Sequence, residues 1–536
     1  QIMQRFVRDS AALASARADN GLTRSPAALK DWLAARQYLR RGLLDSADAA
    51  ITRSIAQDSH FVMALSDAAV IRSWLQFSMG RQYSGLRELA ERAVRLADTL
   101  PNRPQLRANA LLASIETRGA AAARFANAIL GIDNLDFDAS NMLSYFHMAY
   151  GWQYGVGDRE IVDAAERVYR LDTTDVGSIS RRAYIAVAMN DANDIDAQVA
   201  RLRRVDTTMG FAHGLLRGIE ALRADDQGAT RLVQQTTRAP IPQWISMYRT
   251  LRMFRPERAE QLSRATLADS SSANRAIGAS TLAQLSAAQS RWAVVDSMRQ
   301  ARAYAQIPGF ETQLERFAVA ASIAGATDDA RGARAAAALE TGFPPDSALA
   351  WFNKRPSVWH DGWLIGAHNA MYGDTVLAKR WHATLGTLPA GGSPREYHRA
   401  LQADIASRLA ARRGDGERAL AEARRAYELW NIHTENQLEH MPSPAIRFSL
   451  AQLLRDAGKA DSAAALFKSL VPPTTFMGFY TARAALELAD LELAAGARRD
   501  AERHYLLAAR LLERSEPSVA ALKERARRGL ARISGD

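Results

Sequence analysis

One spacing recurs along this chain and limits what it can become. "AGKADSAAALFKSLV" sets out Gly458, Ala463, Phe467 and Leu470, and "GARRDAERHYLLAARLL" sets out Gly496, Ala501, Tyr505 and Ala508. "RGDGERALAEARRAYEL" gives Gly414, Ala419, Ala423 and Ala426, and "YGDTVLAKRWHATLG" gives Gly373, Ala378, His382 and Leu385. Near the start, "RRGLLDSADAAITRSIAQDS" gives Gly42, Ala47, Ile51 and Ser54. Upstream stands a second set: Tyr38 with Ala34 and Ala35 before Gly42, and Leu454 with Ala451 before Gly458. Each copy reads as a helix, a glycine in left-handed conformation that ends it, and a second helix. Small residues let the two helices approach, and the bulky one fills the space between them.

These positions resemble the tetratricopeptide helix–turn–helix, whose hairpins bury their apolar faces only by stacking on one another. The glycines Gly373, Gly414, Gly458 and Gly496 fall about 40 residues apart against an ideal of 34, so the array is expected to be irregular. Weaker copies fall between them. One turns at Asn190-Asp191, one at Gly119, one at Gly325 and one at Gln289-Ser290. No alternating β-branched run long enough for a sheet occurs. The expected fold is all-α, a right-handed tetratricopeptide-like α-solenoid of about ten to thirteen hairpins. Its expected parts are a leading helix or linker over 1–27, an array over 28–240, an irregular segment over 241–345, an aromatic-rich junction over 346–392 and a C-terminal array with a capping helix over 393–536.

Composition narrows the chemistry. The absence of cysteine excludes disulfides, thiolate catalysis and zinc–cysteine sites, and it leans the chain towards an extracytoplasmic address. The net charge of +11 is spread among interleaved acids, with no arm of like charges, so direct nucleic-acid binding is not expected. No apolar run is long enough to span a bilayer. The chain opens on Gln1 as though inside a helix already in progress, and is expected to be part of a larger protein.

Three segments offer candidate chemistry. "ALAWFNKRPSVWHDGWLIGAHNAMYGDTVLAKRWH" holds Trp351, Trp359, Trp363 and Trp381 with His360 and His368. It reads either as an aromatic core joining two sub-arrays or as a lined groove for a ligand or peptide, and its two histidines are wrongly spaced for one helix face. "NIHTENQLEHMPSP" has His433, Glu435, Glu439 and His440, but seven residues part the histidines and prolines follow. "YGWQYGVGDREI" matches neither phosphate-loop pattern. No nucleophile elbow or kinase signature occurs, and the Asp pairs 225–226 and 328–329 sit in polar joints as turn and cap residues. No enzymatic activity, metal or cofactor is expected.

Three stretches carry a further likeness: "SPAALKDWLAARQYLRRGLLDSADAAITRSIAQDSHFVMALSDAAV", "ERAVRLADTLPNRPQLRANALLAS" and "ERHYLLAARLLERSEPSVAALKERARRGLARI". The chain resembles the C-terminal tetratricopeptide regions of bacterial multidomain Ser/Thr kinases and winged-helix transcription activators. That resemblance implies a scaffold or sensor holding a protein or peptide partner, attached through its N-terminal side to a kinase, a DNA-binding domain or a membrane anchor. Tyr38, Trp74, Tyr145 and Tyr154, with Trp351, Trp359, Trp363 and Trp381, are the expected partner contacts. Two other roles are open: a small-molecule-sensing regulatory domain, and an accessory structural subunit of a larger complex whose basic surface meets acidic proteins or lipid headgroups.

Overall fold

Ala, Leu and Arg favour helix, and regularly spaced glycines interrupt it, so the chain is driven into short helices that need neighbours. The computed structural model describes residues 22–535 apart from 80–82, 205–209, 238, 240, 270, 302–303, 305–306, 308, 343–357, 388–394, 433–441 and 472–477. Trp351 and the histidines at 433 and 440 lie outside the described residues, as does most of the expected leading segment. Among the described residues there is no β-strand.

The chain divides into two compact units, 1–258 and 259–536. In the first, six hairpins follow one another: α1 (Pro26–Arg40) with α2 (Leu44–Gln57), α3 (Val62–Met79) with α4 (Leu86–Ala97), α5 (Asn102–Ile115) with α6 (Gly119–Ile132), α7 (Phe137–Tyr150) with α8 (Asp158–Leu171), α9 (Val176–Ala188) with α10 (Ala192–Leu202), and α11 (Gly210–Arg223) with α12 (Asp226–Thr237). Helix α13 (Ile241–Phe254) completes this unit, and α14 (Pro256–Thr266) follows. The second unit has six more hairpins: α15 (Ser272–Ala288) with α16 (Trp292–Gln300), α17 (Phe310–Ile323) with α18 (Asp329–Gly342), α19 (Val358–Met371) with α20 (Thr375–Thr387), α21 (Arg395–Arg412) with α22 (Gly416–Trp430), α23 (Pro442–Asp456) with α24 (Ala460–Lys468), and α25 (Phe479–Ala494) with α26 (Arg498–Leu512). Helix α27 (Ala520–Ser534) caps it. The protein is an all-α solenoid of paired helices, twelve hairpins among the described residues.

The predicted packing positions behave as the spacing demands. Ala47, Ile51 and Ser54 are buried, as are Ala463, Phe467 and Leu470, and Ala501, Tyr505 and Ala508. The turn between helices has one recurring hydrogen-bond pattern. After α23 the Gly458 amide donates to Arg455 O and the Lys459 amide reaches back to Leu454 O at 2.8 Å. This closes the Schellman motif with a residue of positive φ at its corner. The same pair of bonds ends α1 at Gly42, α17 at Gly325, α21 at Gly414 and α25 at Gly496, and it ends α5 at Thr117, α9 at Asn190 and α15 at Ser290. At three corners, then, a residue other than glycine bears the left-handed strain. The expected turn at Gly119 is displaced, because Thr117 takes the corner (φ 59°) and Gly119 opens α6.

A Cβ built on Gly458 meets nothing within 4 Å, so Gly458→Ala changes only the backbone term. Urea unfolding is expected to show a loss of about 1 kcal/mol, the cost of left-handed backbone in an L-residue. Gly414→Ala and Gly496→Ala, with the same open surroundings, should behave alike. Thr117→Gly should shift stability in the opposite direction. A neutral Gly458→Ala would show that the corner is not strained.

One copy departs from register. Gly373 is absent from the positive-φ corners; the turn is held instead by Asn369, whose Oδ1 accepts from the Asp374 amide at 2.9 Å. Trp381, not His382, is then the bulky residue of α20, and it is buried while His382 is half-buried. Room for its indole comes from Gly362 on α19, where a Cβ would stand 2.4 Å from the ring.

The first helices of the hairpins are more buried than the second. Between Phe479 and Ala489 of α25 only Arg483 escapes burial, and ten of the fourteen residues of α17 are buried. The cause is curvature. In the first unit α3 packs against α5 and also against α11 and α13. In the second, the chain end returns to the first hairpins: the Glu516 amide donates to Ser290 O at 3.1 Å, its carboxylate accepts from the Ala293 amide, Arg514 pairs with Glu260 at 3.1 Å, and Arg483 donates to Ala324 O. First helices are thus enclosed on several sides, whereas second helices bury one stripe.

Candidate functional site

Where the first helices of unit 1 meet, their polar residues must be satisfied within the curl. Asp67 on α3 accepts from the Trp32 indole N–H at 2.8 Å and from Arg107 at 2.7 Å, with Arg36 at 3.3 Å. Arg36 also donates to Asp138 at 2.7 Å, and Arg107 pairs with the same carboxylate. Two guanidiniums and two carboxylates from α1, α3, α5 and α7 therefore tie four successive hairpins together. Burial alone would raise the Asp138 carboxyl, but Arg107 and Arg36 outweigh it and hold it well below the usual carboxylate range. This cluster neutralises itself and leaves nothing for a ligand.

Beside it the character changes. Trp74 on α3 meets Tyr145 on α7 edge-on, ring centres 6.1 Å apart. Tyr145 meets Tyr150 at 6.2 Å, Tyr150 meets Phe146 at 6.1 Å, and Phe146 meets Tyr154 at 5.2 Å. Three of the expected partner contacts, Trp74, Tyr145 and Tyr154, are thereby drawn into one chain of rings, each half-buried. Tyr38 does not join it: half-buried, it packs on the unit's core, and its carbonyl accepts from the Leu43 amide in the first turn.

Arginines that sequence reading did not single out face these rings. Arg181 on α9 is buried and donates to Asn141 Oδ1 at 2.8 Å and to Asn141 O at 3.3 Å; burial draws its pKa down to about 10. Arg249 on α13 reaches water but is walled in by protein, and that crowding, with the like charge of Arg252, lowers its pKa although Tyr184, Tyr145 and Tyr150 stand nearby. Burial in turn pushes the Tyr184 hydroxyl up to about 12 and drives Tyr150 above the ordinary phenol range. Neither phenol ionises near neutrality, so both keep their protons as hydrogen-bond donors.

In unit 2 the aromatic segment is core. Trp359, Trp363 and Trp381 are 7%, 1% and 0% exposed. The Trp363 indole N–H donates to Asp404 Oδ2 at 2.8 Å, and Arg408 pairs with the same carboxylate at 2.9 Å. Trp359 stacks on Tyr397 at 5.8 Å and lies 6.3 Å from Trp430. His360 and His368 are buried in the same region, and among the described residues no three His, Asp or Glu side chains gather as a metal would require. His504, one residue before the bulky Tyr505 of α26, is buried, with Nδ1 2.7 Å from Glu492. The reason is that α26 lies between α25 and α27, so two of its faces are covered.

One further depression, of about 470 Å³, lies among α10, α11 and α12, lined by Asp196, Arg203, Glu220 and Arg223. Arg203 pairs with Glu220 at 2.7 Å and Arg223 with Asp196, so its charges cancel across the rim. Among the described residues no helix is long and apolar enough to cross a membrane.

No family model matches the chain. No curated protein matches it either. Among solved structures, it is similar to one described as the crystal structure of the APC/C hetero-tetramer Cut9–Hcn1, at 11% identity and a TM-score of 0.26, covering 94% of this chain and 96% of that one. It is also similar to Naa15/Naa10 bound to HypK-THB, at 12% identity and a TM-score of 0.23, covering 94% of this chain and 79% of that one.

Proposed function

We propose that the chain is a non-catalytic scaffold that holds a protein partner against the inner side of its first unit. The observation that carries this reading is the run of half-buried rings Trp74, Tyr145, Tyr150 and Tyr154 beside the water-accessible Arg249. Aromatic and arginine side chains on a rigid framework are the groups that dominate protein interfaces, because they offer large contact area at small entropic cost. The likeness to the helical-repeat regions of multidomain signalling proteins supports the same reading, with this chain as the part that recruits. Fold alone assigns no partner, so the reading rests on this face.

The test is site-specific photo-crosslinking. With a benzophenone amino acid at position 145, irradiation in cells is expected to give a covalent adduct with a defined protein. The same probe at Arg159 on α8, whose side chain is 94% exposed, should give none. Equal adducts at both positions, or adducts at 159 alone, would remove the inner side from the reading.

A further inference from the structure

The last two helices of the second unit carry an unequal charge. Between Arg498 and Ser534 stand ten Lys and Arg against five Asp and Glu. Some of these cations are engaged within the unit: Arg525 pairs with Glu487 and Asp490, Arg514 pairs with Glu260, and Lys523 donates to the Glu513 and Ser515 carbonyls. Others point outward. Opposite the buried Ala501, Tyr505 and Ala508 of α26 lie Arg499, Arg503, Leu506 and Arg510, spaced along one stripe of the helix and all exposed. On α27 Arg527, Arg528 and Arg532 are exposed, and Glu524 is that helix's one acid. Arg503 shares a weak pair with Asp500 at 3.4 Å, both side chains largely in water. Among the described residues Arg499, Arg510, Arg527, Arg528 and Arg532 make no ion pair or side-chain hydrogen bond. Gly529 lets α27 lie directly on α26, since a Cβ there would collide with the Tyr505 ring. Leu506 follows Tyr505 and Arg528 precedes Gly529, so exposed residues of both helices border one crossing.

Unmatched guanidiniums select an anionic occupant, and Leu506 selects among anions. It is 53% exposed, with an arginine one turn away on either side. A nucleic acid would offer phosphates to the arginines but nothing to bury the leucine. A bilayer offers both, with anionic headgroups at the level of the guanidiniums and acyl chains just beneath. The stripe on α26 is straight and about 16 Å long, which fits a plane better than a groove. We propose that the outward face of α26 and α27 attaches the protein to a membrane surface rich in anionic lipid. Arg499, Arg510, Arg527, Arg528 and Arg532 lie on the headgroups, and Leu506 enters the acyl boundary. Such attachment is peripheral and needs no spanning helix. It belongs to the second unit and is independent of partner capture on the first.

Vesicles of phosphatidylcholine with phosphatidylglycerol are the probe, vesicles of phosphatidylcholine alone the comparison, and co-sedimentation of the full chain the readout. Binding is expected to the anionic vesicles alone, and to fall as salt is raised. Arg528→Gln should weaken it about fivefold, and Arg527→Gln with Arg528→Gln about 25-fold, as for basic residues at an anionic surface. Leu506→Ser keeps the charge and should weaken vesicle binding severalfold. All these side chains are exposed, so the fold is kept. Arg159→Gln removes one exposed charge from α8 and should leave binding unchanged. Equal binding to neutral vesicles, equal loss in Arg159→Gln, or no binding at all overturns the proposal. So does tighter binding to a DNA duplex than to the vesicles with Leu506→Ser indifferent, which would assign the surface to nucleic acid. None of these outcomes bears on the crosslink at position 145.

Discussion

Replacing Asp67 by Ala is expected to cost about 3–5 kcal/mol, the penalty for leaving buried charges without their counter-ion. The carboxylate serves Trp32, Arg36 and Arg107 at once, and its removal leaves two guanidiniums to share the Asp138 carboxylate. Because a whole domain is stable by only about 5–15 kcal/mol, the first unit should lose its cooperative urea transition or shift it far to lower denaturant. Arg53→Ala, which breaks a surface pair with Asp31, should change stability by less than about 1 kcal/mol and serves as the control. The pH response follows from the sign of the Asp138 shift. Its folded-state carboxyl lies below the unfolded value of about 3.9, so the stabilisation is complete above that pH and fades only as pH falls further through the folded value. Wild-type protein should hold its first unit into mild acid. A comparable stability for Asp67→Ala and wild type at neutral pH would show that the four-charge tie is dispensable.

Gly214→Ala is expected to destabilise the protein by about 3 kcal/mol, at the upper end for forcing an extra carbon into a packed crossing. A Cβ on Gly214 would stand 2.1 Å from the main-chain oxygen of Gln243, and one on Gly218 would stand 2.9 Å from Thr250. These two glycines, one helical turn apart, let α11 lie against α13. A backbone oxygen cannot swing aside as a flexible side chain can, so the helices must separate. The gain of about 1 kcal/mol that alanine brings to a helix interior is too small to offset this. Separation would also displace Arg249 and Arg252, so Gly214→Ala should weaken capture at position 145 as well as stability. An alanine variant as stable as wild type would mean that the two helices do not cross as described.

The hairpins were legible in the sequence because their determinants are local. Gly42, Gly414, Gly458 and Gly496 mark corners that need positive φ, and the residues five, nine and twelve positions on fall on one helical face. Even the corners at Asn190 and Ser290 could be read, since polar joints broke the apolar pattern there. Thr117 could not, because a β-branched residue is the last type expected in that conformation, and Gly119 stood nearby as the more plausible corner. The exchange of His382 for Trp381 shares this origin: Gly373 looks like its counterparts, but Asn369 makes the turn in another way. What no local pattern carries is the meeting of distant helices. Asp67, Arg107 and Asp138 read singly as solvated charges, and Arg249 reads as one more arginine on an amphipathic helix. Trp74, Tyr145 and Tyr154 stand out in the sequence by residue type alone, and the curl of the unit sets them side by side.

The return of Arg514 and Glu516 to Glu260, Ser290 and Ala293 changes how the second unit must come apart. An open stack of hairpins frays from its ends, and each terminal pair peels away at the expense of a single neighbour. Here α25–α26 and α15–α16 are joined through the segment after α26, so neither hairpin peels away at the expense of a single neighbour. Opening has to break two junctions together, which turns a graded melting into a concerted one and delays proteases that work inward from a frayed terminus.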